Sequence, residues 1–163
     1  MVKVWDVNTC EEIRTLLGHS GTVTAVKIIY PLIKTDADHA NNKAELQNFI
    51  GRLNKDAGSE VARGEDGLCL TASTDCCIKL WNYSSGLILR SVYTFSSVTS
   101  IHLMASSLGR EGRLAVISGN ESGKLQIWDP NDGQELLSKK CHDDSIDHIW
   151  PQMKLLSPDR KTV

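Results

Sequence analysis

Apolar and polar positions alternate with a period of two through most of the chain, the pattern of half-buried β-strands. Three stretches align without gaps: VKVWDVNTCEEI, IKLWNYSSGLIL and LQIWDPNDGQEL. Each has two apolar residues around a polar one, then Trp, then Asp or Asn. Five residues after the Trp stands a turn position, Cys10, Gly86 or Gly133, and eight after it an apolar residue, Ile13, Leu89 or Leu136. The tryptophans fall at 5, 81 and 128. The second interval nearly fits a repeat of ~40–45 residues, and the first fits once an insertion is allowed for. The alternation predicts strands over Val2–Asp6 and Glu11–Leu16. A first set of four follows at Val23–Ile29, Leu68–Ser73, Cys77–Trp81 and Leu87–Val92, and a second at Val98–Leu103, Leu114–Ser118, Lys124–Trp128 and Glu135–Ser138. Either Ile146–Trp150 or Met153–Leu156 opens a further unit.

The alternation breaks between Ile29 and Leu68. Within residues 43–53, Leu46, Phe49, Ile50 and Leu53 recur at i, i+3, i+4 and i+7, the stripe of an amphipathic helix, and Asp, Asn, Gly and Ser flank it as in a loop. Two readings stand: a helix laid on its own sheet to cover apolar surface, or a partner-docking element on a rigid scaffold.

The three Trp-Asp/Asn copies, the Gly18-His19 pair before Val23, and Thr71-Ala72-Ser73-Thr74-Asp75 before IKLWN resemble the WD-repeat family of β-propellers. Ser157–Val163 resembles the turn after the first strand of another such unit. The repeat signature is Trp5-Asp6, Trp81-Asn82 and Trp128-Asp129. The resemblance implies an all-β fold: an incomplete propeller of about three four-stranded antiparallel blades, with one helical insertion between the first two strands of the second. The expected boundaries are 2–16 for the last two strands of a first blade, 17–92 for the second (insertion 31–67), 93–139 for the third and 140–163 for the start of another. It further implies a hydrogen-bonded set of His19, Ser73, Asp75 and Trp81, with Thr71 on the same strand face as Ser73. Such a set satisfies buried polar groups. No nucleophile elbow or oxyanion motif accompanies it, so it reads as structural and not as a catalytic triad. In the third blade Thr94 stands where His is expected and Ser122 where Asp is expected, so that blade is expected to rest on packing alone. His142, with Cys141 in the glycine's place, restores the turn of the next.

Composition narrows the function. Eighteen Lys and Arg against twenty Asp and Glu leave a net charge of −2, which gives no footprint for nucleic acid. No apolar run approaches a membrane span, and residues 1–6 do not form a signal peptide. The expected location is therefore cytoplasmic or nuclear. Five cysteines without a CxxC pair read as reduced thiols. SGNESGK (118–124) lacks both the spacing and the Ser or Thr of a phosphate loop, and the His142–His148 cluster matches no metal-ligand spacing. No catalytic, metal or cofactor residue is assigned. The expected function is a non-enzymatic protein–protein interaction scaffold within a multi-subunit assembly, its partners being other proteins. The alternative is a truncated regulatory propeller of a larger multi-domain enzyme, ATPase or ubiquitin-ligase substrate receptor. Asn8, Ser84 and Asn131 occupy the positions where ligase receptors of the family often carry Arg, which weighs against the last.

Length sharpens the reading. Without the insertion, the 163 residues supply about three blades, whereas closed propellers have four to eight. The chain is expected to be part of a propeller with two blade faces bare. Expressed alone, it is expected to oligomerise or bind apolar dyes; a cooperative monomer in sedimentation and thermal melts would contradict this.

Overall fold

The computed structural model describes residues 1–29, 39–64, 66–106 and 113–150, with side chains described outside 39–46, 105–106 and 113. Ten strands form three antiparallel sheets. β1 (Val2–Trp5) pairs with β2 (Glu12–Leu16). β3 (Val23–Ile29), β4 (Leu68–Ser73), β5 (Cys77–Asn82) and β6 (Leu87–Tyr93) form the second sheet in sequence order. β7 (Val98–Ser106), β8 (Arg113–Asn120), β9 (Lys124–Trp128) and β10 (Glu135–Lys140) form the third. Helix α1 (His39–Ala57) lies between β3 and β4. It runs four residues beyond the predicted stretch at each end and stops where Gly58 adopts φ +66 and its amide bonds the Lys55 carbonyl, a left-handed glycine cap.

Strand alternation sorts the middle sheet into two faces. Leu68, Leu70 and Ala72 share a core with Ile101, Val116 and Trp128 of the third sheet, whereas Cys69 and Trp81 pack with Leu16, Val2 and Val4 of the first. Trp81 and Trp128 thus each face the preceding sheet. Trp81 and Trp128 are 1% and 5% exposed, but Trp5, with no sheet against that face among the described residues, is 52% exposed.

Two bulges recur. In the outer hairpin the register shifts beside each tryptophan, leaving Ile13, Leu89 and Leu136 as the extra residue. These are the apolar residues that recur eight positions after Trp. In the inner hairpin the shift leaves out Thr24 and Thr99. A bulge re-aims the side chain it carries: Thr24 Oγ1 donates to the Val98 carbonyl at 2.7 Å, and Thr99 Oγ1 to the Ile146 carbonyl at 2.7 Å. The same threonine therefore ties each sheet to the next element. The three turn positions Cys10, Gly86 and Gly133 all have positive φ, at 58°, 84° and 76°. Arg14 lies against Gly86, and Arg90 approaches Gly133, where a Cβ would come within 3.2 Å and 3.9 Å respectively.

Ile146 thus holds the position that Val98 holds one sheet earlier, yet no strand forms over Ile146–Trp150. No described residue pairs with it beyond the Ile146 amide on Asn120 and the Thr99 and Ser100 hydroxyls on its carbonyl. Met153–Leu156 and Ser157–Val163 lie outside the described residues.

The helix packs into the core shared by the middle and third sheets. Phe49, Ile50 and Leu53 are buried with Ile29, Leu68 and Val116, and α1 contacts β8 of the third sheet. That apolar face is buried inside the fold; the side chain of Leu46 lies outside the described residues. Asn54 holds the returning loop through the Val61 and Ala62 amides and the Ala62 carbonyl, and Asp56 lies 3.7 Å from Arg90. Among the described residues no helix is long and apolar enough to cross a membrane.

Phe49→Ala is expected to lower stability by roughly 3–5 kcal/mol, the usual consequence of emptying a core aromatic site. Urea denaturation of the full chain measures it, and a change below about 1 kcal/mol would show that the helix is not part of the core.

Candidate functional site

The polar cluster at the joint between the first and second sheets is the most organised arrangement of chemistry-bearing side chains among the described residues. Trp81 sits opposite Cys69 in the β4–β5 ladder, so the hydroxyl within diagonal reach is two residues on, at Thr71. The Trp81 Nε1–H donates to Thr71 Oγ1 at 2.8 Å. Thr71 Oγ1 lies 2.7 Å from His19 Nε2, and His19 Nδ1 lies 2.8 Å from Asp75 Oδ2. With the proton on Nδ1, every donor has an acceptor: indole to hydroxyl, hydroxyl to imidazole, imidazole to carboxylate. Thr71, and not Ser73, is therefore the bridging hydroxyl. Ser73 is four residues from the position opposite Trp81, beyond the indole's reach, and its Oγ accepts the Asp75 amide at 3.1 Å instead.

Asp75 also closes the turns. Its Oδ2 accepts the Ser20 amide at 2.9 Å and its Oδ1 the Cys77 amide at 3.0 Å. Burial works against its charge and is the largest single influence, but the bonds from His19, Ser20 and Cys77 together outweigh it, and the pKa falls to about 2. Beneath the cluster, burial pushes the Cys69 thiol up to about 11, which removes its nucleophilic form at neutral pH. All five cysteines are free.

An Asp–His–hydroxyl order invites comparison with a hydrolase triad. Here Thr71 is 0% exposed and the His19 side chain 1%. The hydroxyl already accepts an indole proton, and no substrate reaches it. The arrangement positions a joint. It does not expose a nucleophile.

The third sheet meets the same demand with different residues. The Trp128 Nε1–H donates to Ser118 Oγ at 2.9 Å, again ten residues before the Trp. Asn120 Oδ1 accepts from the Ser122 and Lys124 amides and the Ser122 hydroxyl, closing the turn as Asp75 does. Thr94, in the histidine's place, donates to the Cys76 and Ser96 carbonyls. The expectation that this sheet rests on packing alone is thus overturned: the histidine link is missing, but the indole bond and the closed turn remain. In the first sheet, Asp6 Oδ1 accepts the Asn8 and Thr9 amides. Asn82 caps its own turn through Ser85 and reaches Val61 and Asp66 of the returning loop. Asp129 Oδ1 accepts the Asn131 amide. Among the described residues, no three His, Cys, Asp or Glu side chains gather to hold a metal ion.

Comparison with known proteins gives distant likenesses. No family model matches the chain. Protein tipD of Dictyostelium discoideum is 28% identical over 160 residues, covering 91% of this chain and 25% of tipD. Autophagy-related protein 16 of Arabidopsis thaliana is 23% identical over 157 residues, covering 91% of this chain and 30% of that protein. The chain thus spans a quarter to a third of these relatives. Among solved structures, the computationally designed Ika8 and Ika4 proteins superpose with TM-scores of 0.53 and 0.52, each 22% identical and covering 88% of this chain. The chain covers 32% of the Ika8 chain and 62% of the Ika4 chain. This likeness is one of fold alone.

Thr71→Val is expected to cost roughly 1–3 kcal/mol by stranding the indole N–H and the imidazole, and Ser73→Ala less. Denaturant melts of the two variants check the order. Because the Asp75 carboxyl titrates lower folded than unfolded, its contribution is present above about pH 4 and is lost as pH falls toward about 2. Asp75→Asn is expected to flatten stability against pH across that window, and an unchanged slope would contradict the assignment.

Proposed function

We propose that the chain is a sector of a WD-repeat β-propeller that acts as a non-enzymatic protein–protein interaction scaffold, offering its loops and rims to partner proteins in a multi-subunit assembly. The observation that carries this reading is the joint that repeats between consecutive sheets. A bulged threonine bonds forward, an arginine covers a left-handed turn, and a tryptophan bonded to a strand hydroxyl faces back. Stacking four-stranded sheets through one repeated joint is the logic of a propeller, in which radial repetition protects strand edges. A scaffold role is supported by the use of the polar cluster inside the fold, where its hydroxyl and imidazole are shielded from any substrate.

The likeness to a protein named for autophagy makes that machinery the first assembly in which to seek partners, in the cytoplasm or nucleus. The parent protein, captured with its partners, is expected to lose at least one of them when loop residues are substituted without change in melting temperature. A hydrolytic activity that resides in this chain and disappears in His19→Ala would overturn the reading.

A further inference from the structure

Cys76 and Cys77 flank a peptide unit that both four-stranded sheets use in the same way. Cys76 stands five residues before Trp81, the place of Gly123 before Trp128. Both residues have left-handed backbone, at φ +63° and +75°. The carbonyl at this place receives the following connection. That of Cys76 accepts the Thr94 amide and hydroxyl, both at 2.9 Å, and that of Gly123 accepts the Cys141 and His142 amides at 3.0 and 3.1 Å. The next amide donates to the side chain that closes the turn: Cys77 to Asp75 at 3.0 Å, Lys124 to Asn120 at 2.9 Å. One peptide unit thus latches each turn to the loop that follows. Glycine suits the position, whereas a Cβ strains it. The Cys76 thiol gains little in return, a weak bond to the Thr74 carbonyl at 3.9 Å. Cys76 and Cys77 are both half-buried and free, so the copy with the strained turn carries two thiols side by side.

We propose that Cys76 and Cys77 form a redox-sensitive dithiol whose oxidation to a vicinal disulfide opens this latch. The oxidant is a small disulfide of the glutathione class. The Cys76 thiolate attacks one of its sulfurs and expels a glutathione thiolate; the Cys77 thiolate then attacks the Cys76 sulfur and expels the second. The two protein thiols are oxidised to one disulfide, the reagent is reduced to two thiols, and the cysteine protons pass to the departing thiolates. Cys76 attacks first because burial and the Asp75 charge hold the Cys77 thiol above its ordinary range. Successive side chains point to opposite faces only where the backbone is extended, and Cys76 is the left-handed turn residue ahead of β5. Geometry couples the bond to the latch. Adjacent Cα atoms stand about 3.8 Å apart, whereas a relaxed disulfide spans about 4.4–6.8 Å. Closing it therefore twists the peptide unit and turns its carbonyl from Thr94 and its amide from Asp75. Strain also makes the bond easily reduced, so the change reverses. Because Asp75 holds His19 and Ser20 as well, the loosening reaches the joint with the first sheet.

Incubation of the full chain with oxidised glutathione, followed by peptide mapping and amide hydrogen exchange, tests this. The peptide that carries both cysteines is expected to become lighter by two hydrogens and to hold no glutathione. Exchange at the Thr94 and Cys77 amides is expected to quicken by about ten-fold or more, as their bonds are lost. Dithiothreitol restores both readings. Cys76→Gly, which installs the residue used at the same place in the third sheet, keeps the latch and shows no quickening under oxidant. It should melt no lower than the parent chain, since glycine suits φ +63°. Cys77→Ser stops at a mixed disulfide on Cys76 and serves where the glycine variant folds poorly. Both thiols left free, a glutathione retained in the parent chain, or a bridge to Cys10, Cys69 or Cys141 instead overturns the proposal. So does a vicinal disulfide that leaves exchange unchanged, or a quickening that Cys76→Gly shares.

Discussion

An indole N–H carried out of water into the space between two sheets must find an acceptor, since an unpaired buried donor costs about 1–3 kcal/mol. For Trp81 the antiparallel ladder offers one place for it, the diagonal neighbour Thr71. That hydroxyl then needs an acceptor of its own, which His19 provides, and the second ring nitrogen needs Asp75. The carboxylate spends its remaining capacity on the Ser20 and Cys77 amides. His19 and Ser20 belong to the connection from the first sheet, whereas Asp75 and Cys77 belong to a turn of the second. Satisfying one buried donor therefore fixes where the second sheet sits on the first, and the apolar contact of Leu16 and Cys69 with Trp81 follows from that placement.

The third sheet shows which part of this chain of bonds is indispensable. Its indole bond is kept with serine in place of threonine, and its turn is closed by an amide in place of a carboxylate. The histidine is gone. Asn120 and Asn131 each leave one buried polar atom without a partner among the described residues, so the substitution is less complete than the original. Here the forward threonine bond and the contact of α1 with β8 tie the middle and third sheets together, a junction without the imidazole link.

Much of the fold was legible in the sequence because the repeat is written in the residues that face inward. The strand positions, the insertion and the turn positions after each tryptophan all follow from the Trp-centred alignment. What escaped it depends on register and not on residue type. Ser73 and Thr71 share a strand face, and only the ladder pairing of Cys69 with Trp81 shows which of them the indole reaches. A constant interval of ten residues, from Thr71 to Trp81 and from Ser118 to Trp128, was the available signal. The threonine ties were likewise present as the repeated Val-Thr pairs at 23–24 and 98–99, but a bulge turns those side chains out of the alternation that pattern reading assumes. The reach of α1 to the third sheet had no local signal, since an amphipathic stripe states that a helix is covered and not by what.

Repetition also separates what the fold requires from what it merely tolerates. At the turn after each tryptophan, a left-handed residue recurs in all three sheets, and Cys10 accepts in the first the conformation that glycine takes in the others. Geometry rules there, and side-chain identity is secondary. At the loop before each inner strand the reverse holds: backbone ties anchor the loop while the exposed residue changes from Ser20 to Phe95. Sequence that departs from a repeat without gaining a contact within the fold is where selection for something outside the fold is to be sought. His19 does not meet that criterion, since each of its ring nitrogens is committed to holding two sheets together.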